Sequence, residues 1–451
     1  MKIKLSNCGL IGIAVFAILA WGIWMDGYFL SCALSPDGVS YLRMAESAAH
    51  GHLFNPNGVS GHPGWFARWP LGYPWCIAAI AKLTSWDAFT SARALATVIA
   101  GGLLLLLARC ARQAFPLLAL SLLNLSFCGV FRLSYSEQPY ILALVALCFL
   151  LSGTSEWGGL RVGGIAGLCL SAFLFRYVGV FALLWAFATT CLVTRLKRQD
   201  WKCIRYVAVA CLVAGTFAGG YLLMNRMMCG SFTGGHPPGA PEPFFALAKR
   251  MVLAMLNEAQ AFVFAFGWAV ALFFAAGARF FRGRAGRPVK SAAPLGGTVF
   301  IVFGLVCNVT VIMLRFLMPF DSLGFRLLCP GTTLLVLGTL LAIQARLGSD
   351  WSQAINAVPL YRILAFLLVA ALPAANFLSM ERELRRVMHL PMESWYGSYR
   401  EVKAEVMEKY AEVPSGTRFT FPSKFNGVYY WIDFLRPDIL ADVPDSPDKG
   451  F

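Results

Sequence analysis

From residue 8 to about residue 377 the chain alternates long apolar runs with short polar breaks, without the period-two pattern of half-buried strands. A helix needs about 20 mostly apolar residues to cross a bilayer. The first run, Cys8 to Leu30, follows Lys2 and Lys4; it is longer than a signal-peptide core and lacks a small-residue cleavage site. It therefore predicts an uncleaved helix with a cytoplasmic N-terminus. Later runs predict helices over Trp86 to Leu107, Ala114 to Val130, a stretch ending near Ser152, Val162 to Leu174, Val178 to Val193 and Tyr206 to Met224. Further runs end before Arg279, at Arg315, at Arg346 and at Phe377, the last beginning at Arg362. The pattern predicts an all-α polytopic membrane protein of about eleven transmembrane helices.

One polar island interrupts this pattern early. Residues 35–74, SPDGVSYLRMAESAAHGHLFNPNGVSGHPGWFARWPLGYP, are rich in Gly, Pro and aromatics, with an amphipathic segment over Tyr41 to Ala49. A second island, Cys229 to Pro243, follows the seventh run. After Leu378 the composition changes abruptly. Met392 to Val413 has helical spacing with paired charges, and TRFTFP and GVYYWIDF alternate like two short strands. The expected organisation is a membrane domain over 1–377, with its outer loop at 31–85, and a small α+β appendage outside the cytoplasm over 378–451.

Composition agrees with a lipid environment. The chain is 58% hydrophobic and only 14% charged, against about a quarter in soluble domains. The net charge of +15 does not indicate nucleic acid, because its densest basic clusters, 195–205 and 279–290, fall in short loops on one predicted side. Positive loops of this kind face the cytoplasm. That orientation puts the polar island on the outer face, periplasmic in a bacterial inner membrane and lumenal otherwise. The 13 cysteines are scattered mostly through apolar runs without a Cys-x-x-Cys pair, as small buried hydrophobes would be.

Several polar groups map to the outer face. Asp37, between Pro36 and Gly38, is placed either to cap the following helix or to act as a general base; a carboxylate there can also hold a divalent cation. Basic residues, which positive-inside bias should deplete there, include Arg43, Arg68, Arg132, Arg176, Arg226, Lys249, Arg250, Arg315 and Arg326. Arginine's planar fork suits a lipid phosphate, and it also snorkels to head groups. Trp65, Trp69, Tyr73 and Trp75 suit either stacking on a sugar or an interfacial belt. His50, His52 and His62 lack an acidic cluster that would complete a metal site, so none is assigned. Asn124-Leu-Ser and Asn308-Val-Thr lie inside predicted spans, where glycosylation does not apply.

The order of motifs resembles the GT-C membrane glycosyltransferases, polyprenyl-phosphate-sugar-dependent enzymes related to protein O-mannosyltransferases and aminoarabinose transferases. Asp-Gly-x-x-Tyr-Leu (Asp37 to Leu42), Ala45, Gly51 and Trp-Pro-Leu-Gly-Tyr-Pro (Trp69 to Pro74) are similar to that family's first outer loop. Ser136-Glu137-Gln138-Pro139, Arg176-Tyr177-Val178-Gly179 and Asp321 through Arg326-Leu-Leu-Cys-Pro330 continue the likeness to about residue 345. The resemblance implies Asp37 as catalytic base, inversion at the anomeric carbon, and departure of polyprenyl phosphate. Many members carry two neighbouring acids where Ser35-Pro36 precedes the single Asp37 here. It implies Arg176, Arg326 and Arg132 as donor-phosphate ligands, and Tyr41, Glu46, Arg68, Trp69, Tyr73 and Glu137 around the substrates. The implied partners are a lipid-linked sugar donor and a glycan, lipid or protein acceptor. A lipid or glycan transporter is the competing reading; it predicts charges at mid-membrane and broken helices.

Overall fold

A computed structural model describes residues 6–24, 36–52, 65, 67–153, 158–197, 201–233, 243–276, 294–317, 325–347, 351–356, 358–359, 399–414, 416–420, 435–436 and 440–442. The chain folds as a helical bundle. Its elements run α1 (Asn7–Trp21), α2 (Pro36–Ala49), α3 (Gly72–Thr84), α4 (Ala88–Cys110), α5 (Phe115–Ser121), α6 (Leu125–Arg132), α7 (Glu137–Ser152) and α8 (Gly159–Phe175). A 3-10 turn (Tyr177–Val180) leads into α9 (Phe181–Lys197), followed by α10 (Lys202–Cys229), α11 (Phe244–Ala276), α12 (Pro294–Leu317), α13 (Phe325–Leu347) and α14 (Trp351–Asn356). The tail contributes α15 (Tyr399–Lys409) and two strands, β1 (Arg418–Thr420) and β2 (Leu440–Asp442), paired in parallel.

Among the described residues, seven helices are long and apolar enough to cross a membrane, and one bent pair would make an eighth. α7 and α8 are shorter apolar helices of 16 and 17 residues. The architecture is that of a helical, multi-pass membrane protein; the eleventh expected run, 362–377, and the basic cluster at 279–290 lie outside the described residues. The expected single helix over Ala114 to Val130 is instead broken, with α5 and α6 meeting at 68°. Asn124 makes the break, since its carbonyl oxygen accepts the Phe127 N–H at 3.0 Å while its amide donates to the Ser121 carbonyl at 2.9 Å. One side chain thereby starts one helix and closes the other. The island also holds more helix than its composition predicts, for α2 begins at Pro36 and α3 packs on it. In the tail, β1 falls within TRFTFP, and GVYYWIDF lies outside the described residues.

α13 is the central strut, packed on α5, α6, α7, α11 and α12. Its most apolar window is 67% buried, whereas that of α10, at the edge of the bundle, is 22% buried. α10 turns residues such as Leu212 and Phe217 outward. α12 and α13 approach until their backbones touch. A Cβ on Gly304 would sit 2.7 Å from the Gly331 carbonyl oxygen, and one on Gly338 would sit 2.8 Å from the Ile301 nitrogen. Small residues permit such contact where lipid gives helices no hydrophobic reason to associate. This contact fixes the start of α13, and with it Arg326.

Candidate active site

Four charged side chains meet at helix ends. Asp37 lies in the first turn of α2, Glu137 opens α7, Arg176 caps the C-terminus of α8, and Arg326 is the second residue of α13. The turn after Arg176 folds tightly onto α8, because a Cβ on Gly179 would overlap the Ala172 carbonyl. Only glycine permits that approach, and it holds Arg176 over Glu137. The two arginines share one oxygen of Glu137. Arg176 pairs with Oε1, and Arg326 Nε donates to the same atom at 2.6 Å. A second nitrogen of Arg326 pairs with Asp37, so Arg326 joins the two carboxylates. Its guanidinium carbon lies over the ring of Tyr135, 4.5 Å from the ring centre.

The four charges sum to zero, which makes their burial tolerable. Glu137 is 1% exposed, and Asp37, Arg176 and Arg326 are only slightly more open. Ions withdrawn from water stay charged only when closely paired, and removing one partner leaves the other uncompensated.

An aromatic wall stands beside the ions. Tyr41 is one turn after Asp37 and on the same side of α2. Its hydroxyl is hydrogen-bonded to Ser136 Oγ at 2.8 Å, and its ring contacts Trp69 at 5.7 Å and Tyr73, edge-on, at 5.2 Å. α2 and α3 are not among the candidate spans. Burial pushes the Tyr41 phenol well above its ordinary value, against the opposing pull of Arg176, and burial acts on Tyr73 in the same direction.

The remaining expected residues divide. Glu46 lies nine residues after Asp37, on the opposite side of α2, where its Oε2 accepts the Ala88 N–H at 3.2 Å at the start of α4. Arg68 is exposed. Arg132 ends α6 half-buried, and its carbonyl accepts a bond from buried Arg93, whose guanidinium lies 4.7 Å over Phe89. His50 Nδ1 is 2.8 Å from the Glu46 carbonyl, and His62 lies outside the described residues. Among the described residues, no three His, Cys, Asp or Glu side chains gather as metal ligands, and the two carboxylates that meet here are already engaged by arginine. None of the described cysteines forms a disulfide.

Sequence reasoning missed Arg93 and Asn225, and it named Ser136 only within a motif, without its bond to Tyr41. Arg93 had a readable signal, a cation within an apolar run. It missed Glu258 as well, a buried acid on α11 that accepts a bond from Ser126 Oγ at 2.6 Å.

Fold and site together define a helical, multi-pass membrane protein with a buried ionic cluster at helix ends. No protein-family model matches the sequence, and no curated protein does. Among solved structures, the chain is similar to ArnT from Cupriavidus metallidurans bound to undecaprenyl phosphate, at 11% identity and a TM-score of 0.48, covering 97% of this chain and 86% of that one. It is also similar to the apo state of that protein, at 11% identity and a TM-score of 0.43, covering 96% and 85%.

Proposed function

We propose that the chain is a GT-C-type glycosyltransferase that moves a sugar from a polyprenyl-phosphate donor to a glycan, lipid or protein acceptor outside the cytoplasm. The observation that carries this reading is the bridge made by Arg326 between Asp37 and Glu137, with Arg176 on the same Glu137 oxygen. Two forked cations beside one carboxylate at helix ends suit a phosphate that arrives, reacts and leaves. The motif order around Asp37 supports the same assignment.

In this mechanism Arg326 holds Asp37 until the donor phosphate binds. The phosphate competes for Arg326 and Arg176, and an oxygen of Asp37 is released to face the acceptor. Asp37 takes the proton from the acceptor hydroxyl as its oxygen attacks the anomeric carbon. The bond from that carbon to the phosphate oxygen breaks with its electron pair, giving inverted glycoside and polyprenyl phosphate. Arg176 and Arg326 neutralise the charge that grows on the leaving oxygen. Tyr41, Trp69 and Tyr73 form the wall against which the sugar packs. Glu137 holds both arginines and orients the acceptor side of the site.

Transfer from radiolabelled polyprenyl-phosphate sugars in membranes tests the reading. Asp37→Asn should lower the rate per folded molecule by roughly 10²–10⁴. Full activity in that variant removes Asp37 as base. The transporter reading draws support from Glu258, buried within a candidate span, and from the bend between α5 and α6. It predicts uptake of the labelled lipid or glycan with no covalent transfer by either protein.

A further inference from the structure

A second polar network lies beside the ionic cluster, and it contains no charge. Asn225, near the end of α10, is 0% exposed and uses its whole amide. Its Oδ1 accepts from Trp65 Nε1 at 2.8 Å, and its Nδ2 donates to Tyr177 Oη at 3.1 Å and to the Phe232 carbonyl at 3.0 Å. The Tyr177 hydroxyl in turn donates to the Ala67 carbonyl at 2.7 Å. Tyr177 is held from its other side by ring contacts with Phe173 and Tyr221, at 6.0 and 6.5 Å. The chain at 65 and 67 is thereby tied at two points to α10 and to the turn before α9. The next residues deliver Trp69 onto Tyr41 and lead into α3 and Tyr73.

We infer that Asn225 and Tyr177 form a latch, positioning residues that hold Trp65 and residues 67–71 closed over α2 and so set how tightly the donor is bound. The kinetic part of this inference rests on the transferase reading; the closure itself does not. Both N–H groups and the carbonyl oxygen of the Asn225 amide have partners, so the latch costs little to bury and about 1–2 kcal/mol, or roughly tenfold, to break singly. When the latch is weakened, the competent fraction of the protein falls, and apparent donor affinity falls by that same fraction. Chemistry within the closed state is unaffected, because none of these groups touches the reacting atoms.

The test uses the full chain in membranes with a cysteine placed at Ala67, which is 2% exposed, and a water-soluble maleimide as probe. Labelling at 67 is read by mass spectrometry, which separates it from the exposed native Cys110 and Cys229. Tyr177→Phe and Asn225→Leu should each accelerate labelling at 67 by roughly tenfold, while a cysteine at buried Ala48 keeps its slow rate. An unchanged rate at 67 in both variants overturns the latch. Equal acceleration at 67 and 48 also overturns it, because that is general loosening. In the transfer assay, donor KM should rise as the reciprocal of the closed fraction that remains, by roughly tenfold where closure is largely lost, with kcat within about twofold. Labelling at 67 as fast as at exposed Cys229 with unchanged KM overturns the positioning role. If no transfer is found in any variant, the transferase reading fails while the labelling result still decides closure.

Discussion

Arg176 and Tyr177 are neighbours, yet their side chains enter two buried networks of opposite kind. Arg176 joins an ionic cluster with Glu137, Arg326 and Asp37, whereas Tyr177 joins a neutral one with Asn225, Trp65 and the Ala67 carbonyl. The neutral network gives both Asn225 N–H groups and its Oδ1 a partner and holds no cation for an arriving anion to take. The ionic one is balanced only as a sum. A phosphate brings its own negative charge and competes directly for the arginines, so this network can exchange partners where the other cannot. Buried polarity that is complete positions the chain; buried polarity that is balanced but divisible can bind and release an anion.

The sharpest way to break that contrast is to remove the shared cation. Arg326→Ala leaves two buried acids with Arg176 as the remaining arginine of the cluster and should cost about 3–5 kcal/mol of stability. Tyr177→Phe deletes a neutral hydroxyl and should cost only about 1–2 kcal/mol. Transfer by Arg326→Ala should fall by at least about 10²-fold, since one charge-stabilising group is gone. Unfolding followed by heat in detergent ranks the two variants. If Arg326→Ala is no less stable than Tyr177→Phe, the ions are not mutually dependent as described.

A more discriminating change is Glu137→Gln. It leaves two arginines with one carboxylate, so the protein without donor should lose about 3 kcal/mol. Polyprenyl phosphate then supplies the missing negative charge and should raise Tm more in this variant than in the wild type. An equal or smaller rise would remove the arginines from the phosphate site.

The two networks were unequally legible in the sequence. Apolar runs identified most spans, because length and polarity alone bound a membrane helix. The break at Asn124 was hidden, since Leu122, Leu123 and Leu125 continue the run and a capping role depends on which N–H lies within reach. The ionic residues were visible one at a time through motif order. Their sharing was not, because Glu137 and Arg326 are 189 positions apart and meet only through the packing of α7 and α13. Glu46 carried the same local signal as a site acid, yet its position nine residues on from Asp37 turns it to the other face of α2. Asn225 gave almost no signal, being a single amide at the end of an apolar run, and Trp65 resembled an interfacial aromatic. A neutral latch has no charge pattern to betray it.

The smallest expected effect lies at the edge of the ionic cluster, at Tyr41. Its hydroxyl bonds Ser136 with no charge involved, so Tyr41→Phe should behave like the neutral network and cost about 0.5–1.5 kcal/mol near pH 8. The pH dependence has a definite sign. Burial raises the folded-state pKa of this phenol above its unfolded value, so the stability it confers is complete below about pH 10. Above that pH the unfolded chain ionises at Tyr41 and the native state does not, so wild-type stability falls. Phenylalanine has no proton to lose, and the gap between the two proteins should therefore narrow or reverse at pH 11. Urea unfolding at pH 8 and pH 11 measures the gap. A gap that widens with pH would mean that the Tyr41 hydroxyl is held as an anion by Arg176 and Arg326, and that Tyr41 belongs to the charged network.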